Sequence, residues 1–193
     1  MPSCTAACLA AVAVANASAA AGSRPSRRAR IANTLSAAVC VVSYLHYRAV
    51  VAAATPAEAM SYLYSDWYVT LPLLLYELWV VLDLEWSAAR LGAAAALSIL
   101  MVFAGSRRCF GVSWACLIGI YAIFAWQREA KAEGAAEGAE RRYPRMLAIA
   151  FFAVWVAYGV VEHAAPAGAR RACFAVLDLV CKGAFGLSIA VLI

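Results

Sequence analysis

Charge is what this sequence has least of. Only 14% of its 193 residues are charged, while 66% are hydrophobic, and the mean hydropathy is +0.78. A soluble domain carries roughly a quarter charged residues, so an ordinary soluble fold is excluded. Metal-ligand patterns are missing as well. The cysteines (Cys4, Cys8, Cys40, Cys109, Cys116, Cys173 and Cys181) form no CxxC and no Cys/His set with ligand spacing, so no metal site is expected. In apolar surroundings they read as small packing residues, although an external Cys109–Cys173 bridge is conceivable. There is no internal repeat, and the 128–145 stretch, REAKAEGAAEGAERRYPR, is a charged Gly/Ala linker with nothing in it to build a fold.

What is present is a series of long apolar runs, at about 4–22, 31–54, 60–84, 88–105, 109–127, 145–165 and 171–193. Each is close to the roughly 20 residues that a helix needs to cross a bilayer. The first, CTAACLAAVAVANASAAAG, is mostly alanine and has a second reading as a signal peptide ending near its ASA. No positive charge precedes it, which favours a retained helix. The last run reaches the final residue, so one compact, multi-pass membrane domain over 1–193 is expected.

The loops after the first, third and fifth runs carry Arg24, Arg27, Arg28, Arg30, Arg90, Arg128, Lys131, Arg141, Arg142 and Arg145. The opposite side carries Arg107, Arg108, Arg170 and Arg171. The positive-inside rule then places the N-terminus outside and the C-terminus in the cytoplasm. The net charge of +5 is a topology signal and implies no nucleic-acid partner.

Subtracting the loops leaves His46, Arg48, Asp66, Glu77, Glu162, Asp178 and Lys182 at membrane depth. Ionisable groups there are costly and mark function. In DWYVTLPLLLYELW (66–79), Thr70 and Glu77 return within about 40° and 20° of the direction of Asp66, with Glu77 about 16 Å nearer the cytoplasm. Pro72 lies between them and removes one backbone donor. Asp178 and Lys182 share a face at i and i+4. One reading is an ion pair within one helix, which leaves Asp66 without a partner. The other is a Schiff-base lysine facing two aspartates, since desolvation favours the neutral amine that attacks a carbonyl.

FAVLDLVCKGAFGL (174–187) resembles the seventh helix of microbial rhodopsins, and DWYVTLPLLL resembles their third. The likeness, closest to proteorhodopsin-type proton pumps, covers nearly the whole chain, and its compactness is similar to that of rhodopsins from large algal viruses. It implies an all-α bundle of seven transmembrane helices in which Lys182 carries all-trans retinal as a protonated Schiff base. It further implies Asp66 as counterion and proton acceptor, Asp178 as second counterion, Glu77 as cytoplasmic proton donor, and Thr70 hydrogen-bonding near Asp66. His46, in SYLHYRAV, stands where proteorhodopsins carry a histidine bonded to the acceptor, with a plain packing role as the alternative. Trp67 and Trp155 would sandwich the polyene, and Leu74 and Tyr158 would line it. Without Lys182, aromatic residues at helical spacing would read as packing. A homo-oligomer in the lipid membrane is usual for the family.

Three features depart from the pattern. Leu63 stands where most of the family has an arginine, with Arg48 either replacing it or extending outward along its own helix. In AVWVAYGVVEHA, Gly159 replaces a usual proline and Glu162 an aromatic residue. That glutamate would tune colour, join the exit path or face a neighbouring chain. The chain is also short. The expected activity is light-driven outward proton pumping: ion transport, not enzymatic catalysis. The imine proton would pass to Asp66 and leave outward, and Glu77, waiting protonated among leucines and valines, would restore it. A light-gated ion channel of the same fold is the main alternative, although the second run offers Asn33, serines and His46 but no acid. A photosensor is the third reading, and Glu77 counts against it. A membrane carrier without retinal would need Lys182 and Asp66 to match the pattern by chance.

Overall fold

A computed structural model describes residues 2–22, 25–55, 62, 64–132 and 142–192. Among these residues the secondary structure is helical, without strands. The first six helices are α1 (Pro2–Ala21), α2 (Arg27–Ala52), α3 (Trp67–Val81), α4 (Ala88–Ser106), α5 (Phe110–Ala132) and α6 (Arg142–Ala164). The seventh rod has three consecutive pieces: α7 (Ala167–Asp178), a π-helical turn (Leu179–Ala184) and α8 (Phe185–Leu192). Seven rods agree with the seven apolar runs. The 128–145 linker lies largely outside the described residues, as does Leu63.

Six of the rods are long and apolar enough to cross a membrane, the exception being α3 with 15 residues. Asp66 sits immediately before α3, and the turn leading in is tied by Trp67 N–H to the Tyr64 carbonyl at 3.2 Å and Thr70 N–H to the Asp66 carbonyl at 2.8 Å. Pro72 lies inside α3 without ending it. Ser26 and Ser87 cap α2 and α4, accepting from the amides of Ala29 (3.0 Å) and Arg90 (3.4 Å). The turns after α3 and α4 are short because Asp83 (φ 52°) and Arg108 (φ 59°) take the left-handed conformation that reverses a chain in few residues.

The rods pack in sequence: α1 on α2, α2 on α3, α3 on α4 and α4 on α5, with the seventh rod closing onto α6, α1 and α2. Ring contacts of Tyr121 and Phe124 with Phe152 (5.5 and 5.7 Å between centroids) join α5 to α6. The most enclosed rod is α3, which buries Leu71, Leu74, Leu75, Leu78, Trp79 and Val81. Outward-facing positions are apolar: Ile118 is 66% exposed, Trp126 62% and Leu45 59%. Apolar surface on this scale is stable only against lipid. The protein is therefore an integral, multi-pass membrane protein.

At the end carrying the basic loops, polar side chains tie rod ends together. Arg28 donates to the Val81 carbonyl and Arg90 to Gln127 Oε1. Gln127 Nε2 and Trp79 Nε1 both donate to the Glu85 carbonyl, each at 3.2 Å. Arg90 also lies over the Trp126 ring, 4.7 Å from its centroid.

Candidate functional site

The seventh rod carries Lys182 to the centre of the bundle, and three features fix it there. The π-helical turn from Leu179 to Ala184 contains it, a widened turn of a kind often found where a side chain must be re-aimed. Its carbonyl accepts from the Cys40 thiol of α2 at 3.7 Å. Its ammonium meets two carboxylates, with Nζ 2.6 Å from Asp66 Oδ2 and 3.0 Å from Asp178 Oδ1. All three side chains are at most 3% exposed. A buried cation without such partners would be prohibitive. The within-helix pair of Asp178 and Lys182 and the cross-helix pair with Asp66 therefore coexist, and no choice between them is needed.

The two carboxylates differ in what surrounds them. Asp178 accepts from Tyr47 OH at its Oδ2 (2.6 Å) and from Tyr158 OH at its Oδ1 (2.5 Å), so both oxygens are engaged. Asp66 accepts from Ser43 Oγ at its Oδ2 (3.1 Å), while its Oδ1 is buried without a hydrogen-bond partner. His46 Nδ1 stands 3.7 Å from that Oδ1, within ion-pair range but beyond hydrogen-bond range. Its hydrogen bond runs instead to Ser65 Oγ at 3.1 Å. Thr70 lies one turn along α3 with its hydroxyl buried and unbonded.

Beside Lys182 lies a cavity lined by Asp178, Trp67, Leu74, Trp155 and Tyr158. A second cavity shares Trp67, Trp155 and Tyr158 and extends past Phe174 to Trp114 and Gly159. An amine thus opens one end of a long, mostly aromatic slot. That donor set fits a linear conjugated aldehyde held as an imine and flanked by rings. Gly159 has a steric reason: a Cβ there would lie 2.5 Å from the Trp114 ring, so only glycine lets α5 approach α6 this closely.

Glu77 sits elsewhere, toward the basic end. It is fully buried, Ser36 of α2 comes near enough to interact with it, and neither carboxyl oxygen has a well-formed hydrogen bond. Arg48 is exposed and donates to Tyr44 OH on its own helix at 3.1 Å, so it extends outward and takes no part in the site. Glu162 does not pair with the ammonium: it accepts from Tyr64 OH (2.7 Å) and pairs with Arg170 (3.1 Å). Cys109 and Cys173 are free thiols.

Sequence reasoning missed Ser43 and Tyr47, which bond the two aspartates. Their i, i+4 spacing on α2 put them on one face, and the same-face test applied to the acids would have found them. The contact of Glu162 with Arg170 bridges two helices across a turn, and no spacing rule encodes it.

The comparisons with known proteins agree with this geometry. The family model described as bacteriorhodopsin-like protein matches residues 3–193. No curated protein matches. Among solved structures, cyanorhodopsin N4075R from the cyanobacterium Tolypothrix sp. NIES-4075 is 20% identical with a TM-score of 0.83, covering 98% of this chain and 91% of that one. The proton-pumping rhodopsin AR2 from the marine alga Acetabularia acetabulum is 20% identical, with a TM-score of 0.73 and coverage of 98% and 91%. Halorhodopsin, a light-driven chloride pump, is 17% identical, with a TM-score of 0.71 and the same coverage, 98% and 91%. With the family model spanning essentially every residue and an amine at the mouth of an aromatic slot, the chain belongs to the bacteriorhodopsin-like family of microbial rhodopsins, whose members bind retinal.

Proposed function

We propose that this chain is a light-driven outward proton pump in which Lys182 holds all-trans retinal as a protonated Schiff base, with Trp67, Leu74, Trp155 and Tyr158 lining the slot. Bound there, retinal supplies light absorption and a change of shape that redirects Nζ and loosens its hold on a proton. The remaining work falls to the chain's own side chains.

The observation that carries the reading is the asymmetry of the two carboxylates. Asp178 is stabilised as the anion by two tyrosine donors, which makes it the poorer proton acceptor. Asp66 has an oxygen free of hydrogen bonds, and its other oxygen is 2.6 Å from Nζ. A proton leaving Nζ therefore goes to Asp66, while Asp178 remains the fixed counterion. Glu77, on the basic and therefore cytoplasmic side, is buried without a paired cation, so it is most cheaply held as the neutral acid. In that form it can return a proton to Nζ. The two acids flank Lys182 on opposite sides, which gives the transfer its direction.

The likeness to a proton-pumping rhodopsin supports the reading, while the likeness to a chloride pump means that the fold does not select the ion. What supports a proton over an anion is the charge of the site, where two carboxylates face one ammonium and disfavour a chloride. The activity is ion transport and involves no enzymatic turnover. The test is the pH of an unbuffered suspension of cells expressing the chain with added all-trans retinal. Acidification in light, abolished by a protonophore and by Asp66→Asn, is expected. A coloured protein that leaves the pH unchanged would sink the pump.

One observation favours a light-gated channel as the second reading. Asn16, Asn33 and Ser36 are buried on α1 and α2 at the cytoplasmic side, and the two amide oxygens are unbonded. Voltage clamp separates the two: a pump current keeps its sign, whereas a channel current reverses with voltage.

A further inference from the structure

Outward of Asp66, the described residues contain one carboxylate besides Asp178, and it is Glu162. It lies near the end of α6, and Arg170 lies in the first turns of α7. Glu162 Oε1 accepts from Arg170 Nη1 at 3.1 Å, and Glu162 Oε2 accepts from Tyr64 OH at 2.7 Å. Arg170 Nη2 reaches the Ala165 carbonyl at 3.4 Å, which holds the guanidinium across the α6–α7 turn. The two side chains are 12% and 17% exposed, so the pair is neither sealed in nor fully in solvent. Tyr64 and Glu162 line the same cavity as Trp67, Tyr158 and Phe174, and Tyr64 stands two residues before Asp66. Ring contacts of Tyr64 with Trp67 (5.4 Å) and Phe174 (6.4 Å) fix its position.

We propose that Glu162, held by Arg170 and bonded to Tyr64, is the outward proton relay that empties Asp66. The inference rests on the pump reading and deepens it. The balance is simple. An O–H bond on Asp66 breaks and its proton is taken up at the Tyr64 hydroxyl. Tyr64 passes its own hydroxyl proton to Glu162 Oε2 and accepts the incoming one. The new O–H bond on Glu162 neutralises its half of the ion pair, and the proton then goes to external water, restoring the carboxylate. An ion pair is the state a relay needs, because an acid already carrying a proton cannot accept another. A partly exposed pair also provides what neither Asp66 nor Asp178 has, a side chain that touches both the buried cavity and the outside.

Two measurements test this. The first uses retinal-free protein in the dark, with glutamate labelled with carbon-13 and Glu162→Gln as the difference. The substitution is expected to remove a carboxylate band from the infrared spectrum; removal of a neutral carboxyl band would overturn the relay. The second follows the retinal-loaded protein in detergent after a flash, where the direction of transport plays no part. The return of Asp66 to its anion, seen by its infrared carboxyl band, should slow on the order of tenfold or more in Glu162→Gln. It should slow likewise in Tyr64→Phe and recover substantially in Glu162→Asp. A merely structural role would lower thermal stability and leave that rate unchanged. An altered absorption maximum with an unchanged rate would assign Glu162 to colour tuning and overturn the relay. If Asp66 never gains a proton on the flash, the pump reading itself fails, with a signature that no relay defect produces.

Discussion

The two halves of this bundle treat buried charge in opposite ways. On the side away from the basic loops the charged groups at depth among the described residues are paired: Lys182 with Asp66 and Asp178, and the partly exposed Glu162 with Arg170. Toward the basic loops, Glu77 lies on the helix that buries Leu74, Leu75, Leu78 and Val81, with no cation paired to it among the described residues. A paired carboxylate keeps its charge and can receive a proton, whereas a solitary carboxyl in apolar surroundings is held most cheaply with its proton on. Under the proposed pump, one half would accept a proton and the other would give one, and the direction of transport would follow from that difference. Substitutions that equalise the halves should abolish that direction, and those that touch one half should slow one leg.

The largest effect belongs to the residue that both halves share. Lys182→Ala should leave the protein colourless whatever retinal is added, as read by visible absorption. It also leaves Asp66 and Asp178 facing each other without their cation. Losing one partner of a buried pair costs roughly 3–5 kcal/mol, so the folded yield should fall. Adding Asp178→Asn to that variant should restore part of it.

Next, Asp66→Asn removes the proposed acceptor but leaves Asp178 on Lys182. Light-driven acidification should vanish while colour persists. The absorption maximum should move to longer wavelength, because a negative charge near Nζ stabilises the ground state more than an excited state whose positive charge has moved along the polyene. Asp178→Asn is the control: it removes the carboxylate that two tyrosines hold, and is expected to cost stability before it costs direction.

In the other half, Glu77→Gln removes the proposed proton donor. Recovery of the dark state after a flash should slow about 100-fold without a change in colour. A small membrane-permeant weak acid such as azide should restore the rate by delivering the proton from solution. Unchanged recovery would mean that the proton reaches Nζ by another path, through the buried amides of Asn16 and Asn33, and would move the balance toward a channel.

Much of this contrast was legible in the sequence, and for an identifiable reason. Helical period is local, so the shared faces of Asp66, Thr70 and Glu77, and of Asp178 with Lys182, follow from residue number. The seven apolar runs likewise give the seven rods, because length and hydropathy are properties of one segment. What could not be read is what depends on two rods meeting. The tyrosine pair on Asp178, the serine on Asp66 and the bond of His46 to Ser65 rather than to Asp66 are set by crossing geometry and rotamer. The π-helical turn at Lys182 is likewise a choice of hydrogen-bond register that no composition announces. Gly159 read as a departure from a family pattern until the Trp114 ring gave it a cause.

The smallest effect expected sharpens the cytoplasmic half. A Cβ on Gly186 would lie 2.3 Å from Ser36 Oγ and 3.2 Å from Asn16 Nδ2, so α8 meets α2 and α1 where only glycine fits. Gly186→Ala must push Ser36 away, and such overpacking costs about 1–3 kcal/mol. The thermal midpoint should fall accordingly. Ser36 is also the polar group nearest Glu77 from α2, so the same push changes the one contact that the solitary carboxyl has. Ser36→Ala removes the clashing oxygen, and the double variant should therefore regain most of the lost stability. If Glu77 gives its proton without help from α2, the double variant should also recover in the dark at the rate of the unaltered protein. If recovery stays slow after stability returns, Ser36 holds the Glu77 proton in place, and the half that looked solitary contains a pair.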